Sequence, residues 1–418
     1  MDISITPSSL SGSVAAQPSK SAAHRAAICA MLAKGDSHIA PITSTRDMLA
    51  TFNAALALGA KGTLTSSSLT LNGIKTPPAQ AVLDCDESGS TLRFFIPIAA
   101  ALGVTASFYG RGQLPTRPLE PLVSQLRSHG VTVEKKGDEI LTISGRLTPG
   151  RYTIAGNISS QFITGLLFSL PLLAGDSEII LTTPLASKGY VDMTLSMLAQ
   201  FGVVVETLPT GWRIPGHQTY RPRNSMVEGD FSGAAFWLCA GAIQTPVTVT
   251  GLSRDTAQGD RAVLSVLEKM GALVQWDGDA VTVSPGALSG IEIDGEDIPD
   301  LVPVLAVVAC FAQGVTRFSN VGRLRIKECD RLDAMTQGLT ALGTKVEQTE
   351  DSLTVTGGVP LGGGSVSSFD DHRIAMALSI AALRCASPVI IRSAQCVDKS
   401  YPDFYKDFEK LGGICHVI

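Results

Sequence analysis

The chain has 418 residues, a formal net charge of −5, and 44% hydrophobic against 17% charged residues. That length exceeds one ordinary core, and the composition is that of a well-buried globular protein, so two domains are expected. The acidic balance and an aromatic content of only 6% exclude a general nucleic-acid binder, which needs a basic face or stacking platforms. The eight cysteines show no CxxC or Cys/His ligand spacing and several sit in apolar runs, which fits a reducing compartment and implies neither a metal nor a disulfide framework. The opening MDISITPSSL lacks the basic and apolar regions of a signal peptide, and the longest apolar stretch, 301–312, contains Pro303 and is too short to span a bilayer. A cytoplasmic protein without membrane or nucleic-acid partners is expected.

Along the chain, MDISITP reads as a strand. SKSAAHRAAICAMLAKG then reads as a helix, SHIAPI as a strand, TRDMLATFNAALALG as a second helix, and KGTLTS and SLTLNG as two strands. The same order returns. Gly59, Gly130, Gly202, Gly271, Gly343 and Gly412 each close an amphipathic run and fall 69–72 residues apart. A second series of apolar helices (CAMLAKG, PIAAALG, SLPLLAG, WLCAGAI, VACFAQG, SIAALRC) keeps the same period. Two signatures at one period indicate six copies of one unit, read as strand–helix–strand–helix–strand–strand. The stretch 214–227 (IPGHQTYRPRNSMV) is the most linker-like, so the boundary falls there. Residues 19–227 would carry repeats one to three, and residues 1–18 with 228–418 repeats four to six. If MDISITP pairs with the terminal ICHVI, the chain starts in the later domain and crosses twice, near Pro18 and after 227, as a hinge over a cleft that closes.

The first-helix starts align as Ser19-Lys20-Ser21, Ser88-Gly89-Ser90, Ser159-Ser160-Gln161, Asp230-Phe231-Ser232, Asp300 and Asp371-His372-Arg373. The second-helix starts align as Arg46-Asp47, Arg117-Pro118, Ser187 to Tyr190, Gln258-Gly259-Asp260, Lys327 to Arg331 and Lys399 to Pro402. Ser, Thr and Asp there are ordinary N-caps, which suffices for Ser88, Asp230 and Asp260 and is the plain reading of Asp300. Cations are not explained this way, because the helix dipole disfavours them at an N-terminus. Lys20, Arg117, Lys327, Arg331, Arg373 and Lys399 nevertheless occur at or within about a turn of these starts, with Arg25 and Arg93 slightly further along. Such a set in an acidic chain implies a ligand bearing several negative charges. Lys327 and Arg331, four apart, are expected on one helix face with Asp330 as orienting partner. No HExxH, GxSxG, Walker A or Rossmann pattern appears in context, so the serine clusters suit phosphate ligation better than nucleophilic attack.

These segments (PSKSAAHR, ESGSTLR, LPTRPLEPL, GNISSQFITGLL, SKGYVDMT, EGDFSGAAF, IPDLVPVLA, RIKECDRL, DDHRIAMA and DKSYPDFY) resemble, in this order and over essentially the whole chain, the 5-enolpyruvylshikimate-3-phosphate synthase family. The resemblance implies an α/β fold: a two-domain inverted α/β barrel, or α/β prism, of six βαβαββ repeats, three per domain, joined by a double crossover. It implies transfer of the enolpyruvyl group of phosphoenolpyruvate to the 5-hydroxyl of shikimate 3-phosphate, with release of phosphate, by a monomer needing no metal or cofactor. Lys20, Ser21, Arg25, Ser159, Ser160, Gln161, Ser187, Asp300 and Lys327 would hold shikimate 3-phosphate, with Tyr190 nearby. Lys20, Gly89, Arg117, Gln161, Arg331, Arg373 and Lys399 would hold phosphoenolpyruvate, Gly89 by letting the backbone approach it. Asp300 would be the base and Glu328 the acid, with Lys20 sharing the proton traffic and His372 in support. The chain departs from the family pattern at Arg323, where Asn is usual, and Arg323 is left out of the ligand set. It departs also at Glu87 and Gln17-Pro18.

Two other readings fit the sequence less well. The related UDP-N-acetylglucosamine enolpyruvyl transferases use a loop cysteine near the second repeat, and this chain has none between Ala106 and Arg127. A six-unit ring clamping DNA would carry its basic residues along helix faces, whereas here they gather at helix starts.

Overall fold

The computed structural model describes the whole chain, Met1–Ile418. After β1 (Ile3–Thr6) and β2 (Gly12–Ala15) come α1 (Lys20–Leu32), β3 (Asp36–Ala40), α2 (Arg46–Ala57), β4 (Lys61–Leu64) and β5 (Leu69–Asn72). The second repeat is β6 (Gln80–Asp84), α3 (Gly89–Leu102), β7 (Thr105–Tyr109), α4 (Leu122–Ser128), β8 (Val131–Glu134) and β9 (Leu141–Gly145). The third is β10 (Arg151–Ile154), α5 (Ser160–Ser169), β11 (Ser177–Leu181), α6 (Lys188–Gln200), β12 (Glu206–Leu208) and β13 (Gly211–Ile214), followed by β14 (Asn224–Met226). The fourth is α7 (Phe231–Ile243), β15 (Val247–Thr250), α8 (Ala262–Met270), β16 (Leu273–Asp277) and β17 (Ala280–Ser284). The fifth is β18 (Glu292–Asp294), α9 (Val302–Phe311), β19 (Val315–Ser319), α10 (Arg331–Ala341), β20 (Lys345–Gln348) and β21 (Ser352–Thr356). The last is β22 (Gly364–Ser367), α11 (His372–Ala382), β23 (Val389–Arg392), α12 (Phe404–Lys410) and β24 (Ile414–Val417).

The six periodic glycines have one physical cause. Each has positive φ, from 77° at Gly202 to 108° at Gly271, the left-handed residue that terminates a helix and that only a side chain without Cβ adopts freely. The starts are equally regular. The side chains of Ser88, Ser159, Asp230 and Asp371 accept from backbone N–H groups two or three residues ahead and so cap α3, α5, α7 and α11.

Two compact units result, Lys20–Val227 and Met1–Ser19 with Glu228–Ile418. Each contains three four-stranded sheets of common order, such as β6-β7-β9-β8 and β18-β19-β21-β20. The first helix of each repeat lies inside and is buried nearly all round, as α7 is at every position, while strands such as β5 and β15 alternate a buried with a half-buried face. Helices inside and sheets outside are the inverted α/β arrangement expected from the resemblance.

Three strands are exchanged along the chain. The leading strand of the first repeat is β14, parallel to β3, and that of the fourth is β2, parallel to β15. In the sixth sheet β1 lies between β23 and β24, so the expected pairing of MDISITP with ICHVI is present, Ile3 opposite Val417. Where the chain passes out of and back into this unit, Pro18 and Gly229 bridge antiparallel, and Ser19 N donates to Glu228 O at 2.8 Å. The stretch 214–227 is not the linker its composition suggests. It holds β14 and the buried Tyr220, whose hydroxyl donates to Phe168 O at 2.7 Å. A three-residue parallel edge strand is too short to show alternation, which is why it reads as irregular.

Close packing then sets the first helices. Pro97 within α3 cannot donate to Arg93 O, and Gly165 of α5 lies against that carbonyl, where a Cβ would come within 2.5 Å. The two helices thereby approach closely, bringing Arg93 to Gln161.

Candidate functional site

In the unit Lys20–Val227, Lys20 opens α1 and its Nζ donates to Asp47 Oδ2 of α2 at 2.8 Å. One turn on, Arg25 is buried yet meets no carboxylate. It donates to Thr194 Oγ1, Ser21 O and Tyr190 O at 2.8–2.9 Å and lies over the Phe94 and Tyr190 rings. Burial lowers its proton affinity to about 10, still far above neutrality, so a buried permanent cation results. Arg93 of α3 donates to Gln161 Oε1 at 2.7 Å and to Pro118 O, and Gln161 in turn donates to Ser90 Oγ at 2.9 Å. Ser160 is buried beside Ser159, whose hydroxyl caps α5. Ser187 precedes α6 at φ 55°, buried and in the left-handed region, with no capping bond from its side chain.

A chain of hydroxyls fixes these helix starts to one another. His24 Nδ1 meets Thr51 Oγ1 at 2.6 Å, Thr51 meets Thr91 at 2.8 Å, and Thr91 Oγ1 donates to Ser88 Oγ at 2.8 Å, joining α1, α2 and α3. Thr164 and Thr194, 3.1 Å apart, join α5 to α6. His24 is neutral: burial first, then Lys20 and Arg25, outweigh Asp47 and lower its pKa to about 3. Gly89 also lies tight against two of the cations. A Cβ there would come 2.9 Å from Arg117 Nη1 and 3.3 Å from Arg93 Nη1, so the missing side chain makes room for the two guanidinium groups.

In the other unit, cations and carboxylates interlace. Arg331, 1% exposed at the start of α10, donates to Asp371 Oδ2 (2.7 Å), Asp300 Oδ1 (2.7 Å) and Glu328 Oε2 (2.9 Å). Arg373 of α11 reaches Asp300 Oδ2 at 3.4 Å, Lys327 Nζ lies 4.0 Å from Asp300 Oδ1, and the buried Lys399 lies 3.5 Å from Glu328 Oε1. His372 is buried at the start of α11 with Nδ1 3.8 Å from Asp371 Oδ1. Burial opposes ionisation of Asp300, but Arg373, Lys327 and Arg331 outweigh it and hold its carboxyl well below the usual carboxylate range. Burial likewise opposes the Arg331 charge, and Asp371, Glu328 and Asp300 more than reverse it.

Three expectations are corrected. Asp300 does not cap α9: Leu301 holds that position without a side-chain bond, leaving the Asp300 carboxylate for the cations. Lys327 and Arg331 share no helix face, because Lys327 follows a 3-10 turn, Gly322–Ile326, and α10 starts only at Arg331. Asp330 caps α10 through Asp333 N and pairs with Arg325 at 2.7 Å, not with Arg331. Arg117 and Lys399 also stand at the ends of 3-10 turns, five residues before α4 and α12, so for these and Lys327 the dipole does not oppose the charge. Arg323 turns to Glu296 O at 2.6 Å.

Asp47 and Asp371, absent from the expected ligands, hold Lys20 and Arg331. Their signal was available: each lies at an aligned helix start, Asp371 beside two site residues.

A family model described as EPSP synthase (3-phosphoshikimate 1-carboxyvinyltransferase) matches residues 5–408. Similar curated proteins bear the name 3-phosphoshikimate 1-carboxyvinyltransferase: one from Clostridium perfringens is 46% identical, covering 98% of both chains. Another, from Clostridium novyi, is 43% identical over 99% of this chain and 98% of its own. Among solved structures, EPSP synthase from Acinetobacter baumannii matches at TM-score 0.82 and 26% identity over 100% of both chains. The enolpyruvyl transferase NikO from Streptomyces tendae, at 20% identity, TM-score 0.82 and coverage of 99% and 98%, shares the fold.

Proposed function

The chain belongs to the EPSP synthase (3-phosphoshikimate 1-carboxyvinyltransferase) family, and from that premise we infer that it transfers the enolpyruvyl group of phosphoenolpyruvate to the 5-hydroxyl of shikimate 3-phosphate. This is the enolpyruvyl-transfer step of the shikimate pathway. The observation that carries the reading at the level of residues is Asp300, a carboxylate with three cations around it.

Shikimate 3-phosphate takes Lys20, Ser21, Arg25, Ser159, Ser160, Gln161 and Ser187, with Asp300 and Lys327. Phosphoenolpyruvate takes Lys20, Gly89, Arg117, Gln161, Arg331, Arg373 and Lys399. Both substrates bear a phosphate and a carboxylate, so cations that now compensate Asp300 and Glu328 turn partly toward substrate anions. Asp300 then recovers proton affinity. A base silenced in the free enzyme becomes competent once substrates arrive, because an opposite charge moved away from a carboxylate raises its pKa.

In the addition step the 5-hydroxyl oxygen bonds to C2 of phosphoenolpyruvate, its proton passes to Asp300, and C3 gains a proton from Glu328. The product is a tetrahedral intermediate. In the elimination step C3 returns a proton, the C2–O bond to phosphate breaks, and the enol ether and inorganic phosphate form. Lys20 is assigned a share of either proton transfer and His372 the support of Glu328. Arg331 is anchored by Asp371, so it keeps its place while its contacts with Asp300 and Glu328 are shared with the substrate anion.

Phosphate release is measured with phosphoenolpyruvate plus shikimate 3-phosphate, and in parallel with UDP-N-acetylglucosamine. Release with the shikimate ester alone is expected, and Asp300→Asn should lose about 10²–10⁴ of turnover while still binding shikimate 3-phosphate by calorimetry. Release with the sugar nucleotide alone overturns the substrate, and unchanged turnover in Asp300→Asn overturns the base.

A further inference from the structure

Asp260 has no part in the chemistry just described, and its surroundings are unusual. It lies in the 3-10 turn Gly259–Arg261 before α8, 3% exposed, in the same unit as Asp300. One oxygen, Oδ2, accepts the Ser232 hydroxyl in a short hydrogen bond; the other, Oδ1, is buried with no hydrogen-bond partner. Ser232 is the second residue of α7, its N–H bonded to the Asp230 cap and its carbonyl accepting from Arg373 Nη1 at 3.0 Å. Arg373 Nη2 faces Asp300 Oδ2. A continuous line therefore runs Asp260, Ser232, Arg373, Asp300.

We propose that Asp260 is a positioning residue that acts through Ser232 and Arg373, its charge setting how tightly Arg373 takes an anionic substrate. The proposal rests on the reading that Arg373 holds phosphoenolpyruvate. When Asp260 is ionised it competes with the incoming anion for the field of Arg373; when it is protonated, that competitor is removed and the pull of Asp300 remains. The groups facing Asp260 are Asp300, Asp230, Arg373 and the Ser232 hydroxyl. Burial and the Asp300 charge raise its proton affinity, Arg373 and the Ser232 hydroxyl lower it, and the result lies at about 7, so both states are populated near neutrality. No donor occupies Oδ1, so the proton of the neutral form has a place on that oxygen.

The test is the KM for phosphoenolpyruvate between pH 5.5 and 9, in wild type, Asp260→Asn, Ser232→Ala and Arg373→Lys. In wild type KM should rise about five- to tenfold as pH passes 7, the effect of one added charge at short range. Asp260→Asn, an isostere that cannot ionise, should keep the acid-side KM at all pH values. Ser232→Ala removes a hydrogen bond to the ionised form, so the bend should move to higher pH, which tests the idea even if Asp260→Asn fails to fold. A merely structural Asp260 would lower stability or kcat without flattening the profile. An Asp260→Asn profile parallel to wild type, or a bend unmoved in Ser232→Ala, overturns the proposal. If Arg373→Lys leaves KM unchanged, the placement of phosphoenolpyruvate fails first, a result distinct from either.

Discussion

In the unit Lys20–Val227 the buried guanidinium of Arg25 meets a hydroxyl and two carbonyls. In the other unit Arg331 meets three carboxylates, and Asp300 faces three cations. The same repeat thus supports two ways of burying positive charge. Neutral acceptors fix a cation without cancelling it, which suits holding an anion in one orientation. Carboxylates cancel it and have their own protonation held in check, which suits acid–base work released by ligand binding. Among the cations of the first unit assigned to substrate, Lys20 departs from this by pairing with Asp47, and it is the residue there assigned to proton traffic.

The comparison is broken most directly at Arg331. Arg331→Ala leaves Asp371 and two further carboxylates without their shared cation, and should cost about 3–5 kcal/mol in denaturant unfolding along with activity. A loss below about 1 kcal/mol would mean the carboxylates are not held by it.

A second test sharpens the neutral character of the first unit. His24 has a folded pKa near 3 against an unfolded value of 6.5, so between these the unfolded chain binds more protons. Stability should therefore fall with acidification from pH 6.5, by up to about 1.4 kcal/mol per pH unit, and His24→Gln should lose that component of the slope. An identical slope in the variant would mean that His24 takes a proton in the folded state.

The smallest effect is expected at Gly89. A Cβ there presses on the end of the Arg117 side chain, which moves at little cost to the fold. Gly89→Ala should raise KM for phosphoenolpyruvate about tenfold, roughly 1.4 kcal/mol, with melting temperature nearly unchanged. A large drop in melting temperature with constant KM would put the role of Gly89 in packing alone.

Much of this was legible because the repeat made it so. Glycines with positive φ and capping Ser or Asp residues recur by local necessity, and local necessity is written in the sequence. Less direct were the partners of the cations, which only the alignment of helix starts, and no local spacing, points to. Arg331 finds Asp371 forty positions away, Ser232 finds Asp260 twenty-eight away, and Lys20 finds Asp47 twenty-seven away. Those pairings follow from how repeats pack, not from spacing within a helix, and a four-residue interval misled at Lys327 and Arg331 because the chain between them is not helical. The exchange of β2 and β14 between repeats was hidden for a similar reason, since an edge strand of three or four residues carries no period of its own.

The central claim is that Asp300 is kept ionised and weakly basic by Arg373, Lys327 and Arg331 until anionic substrates draw on those cations. Its carboxyl titration can be followed by carbon-13 NMR on aspartate-labelled enzyme, assigned by the signal lost in Asp300→Asn, with and without saturating phosphoenolpyruvate and shikimate 3-phosphate. The account predicts a pKa well below the usual carboxylate range in the free enzyme and a rise when both substrates bind. An ordinary pKa in the free enzyme, or no change on binding, would contradict it.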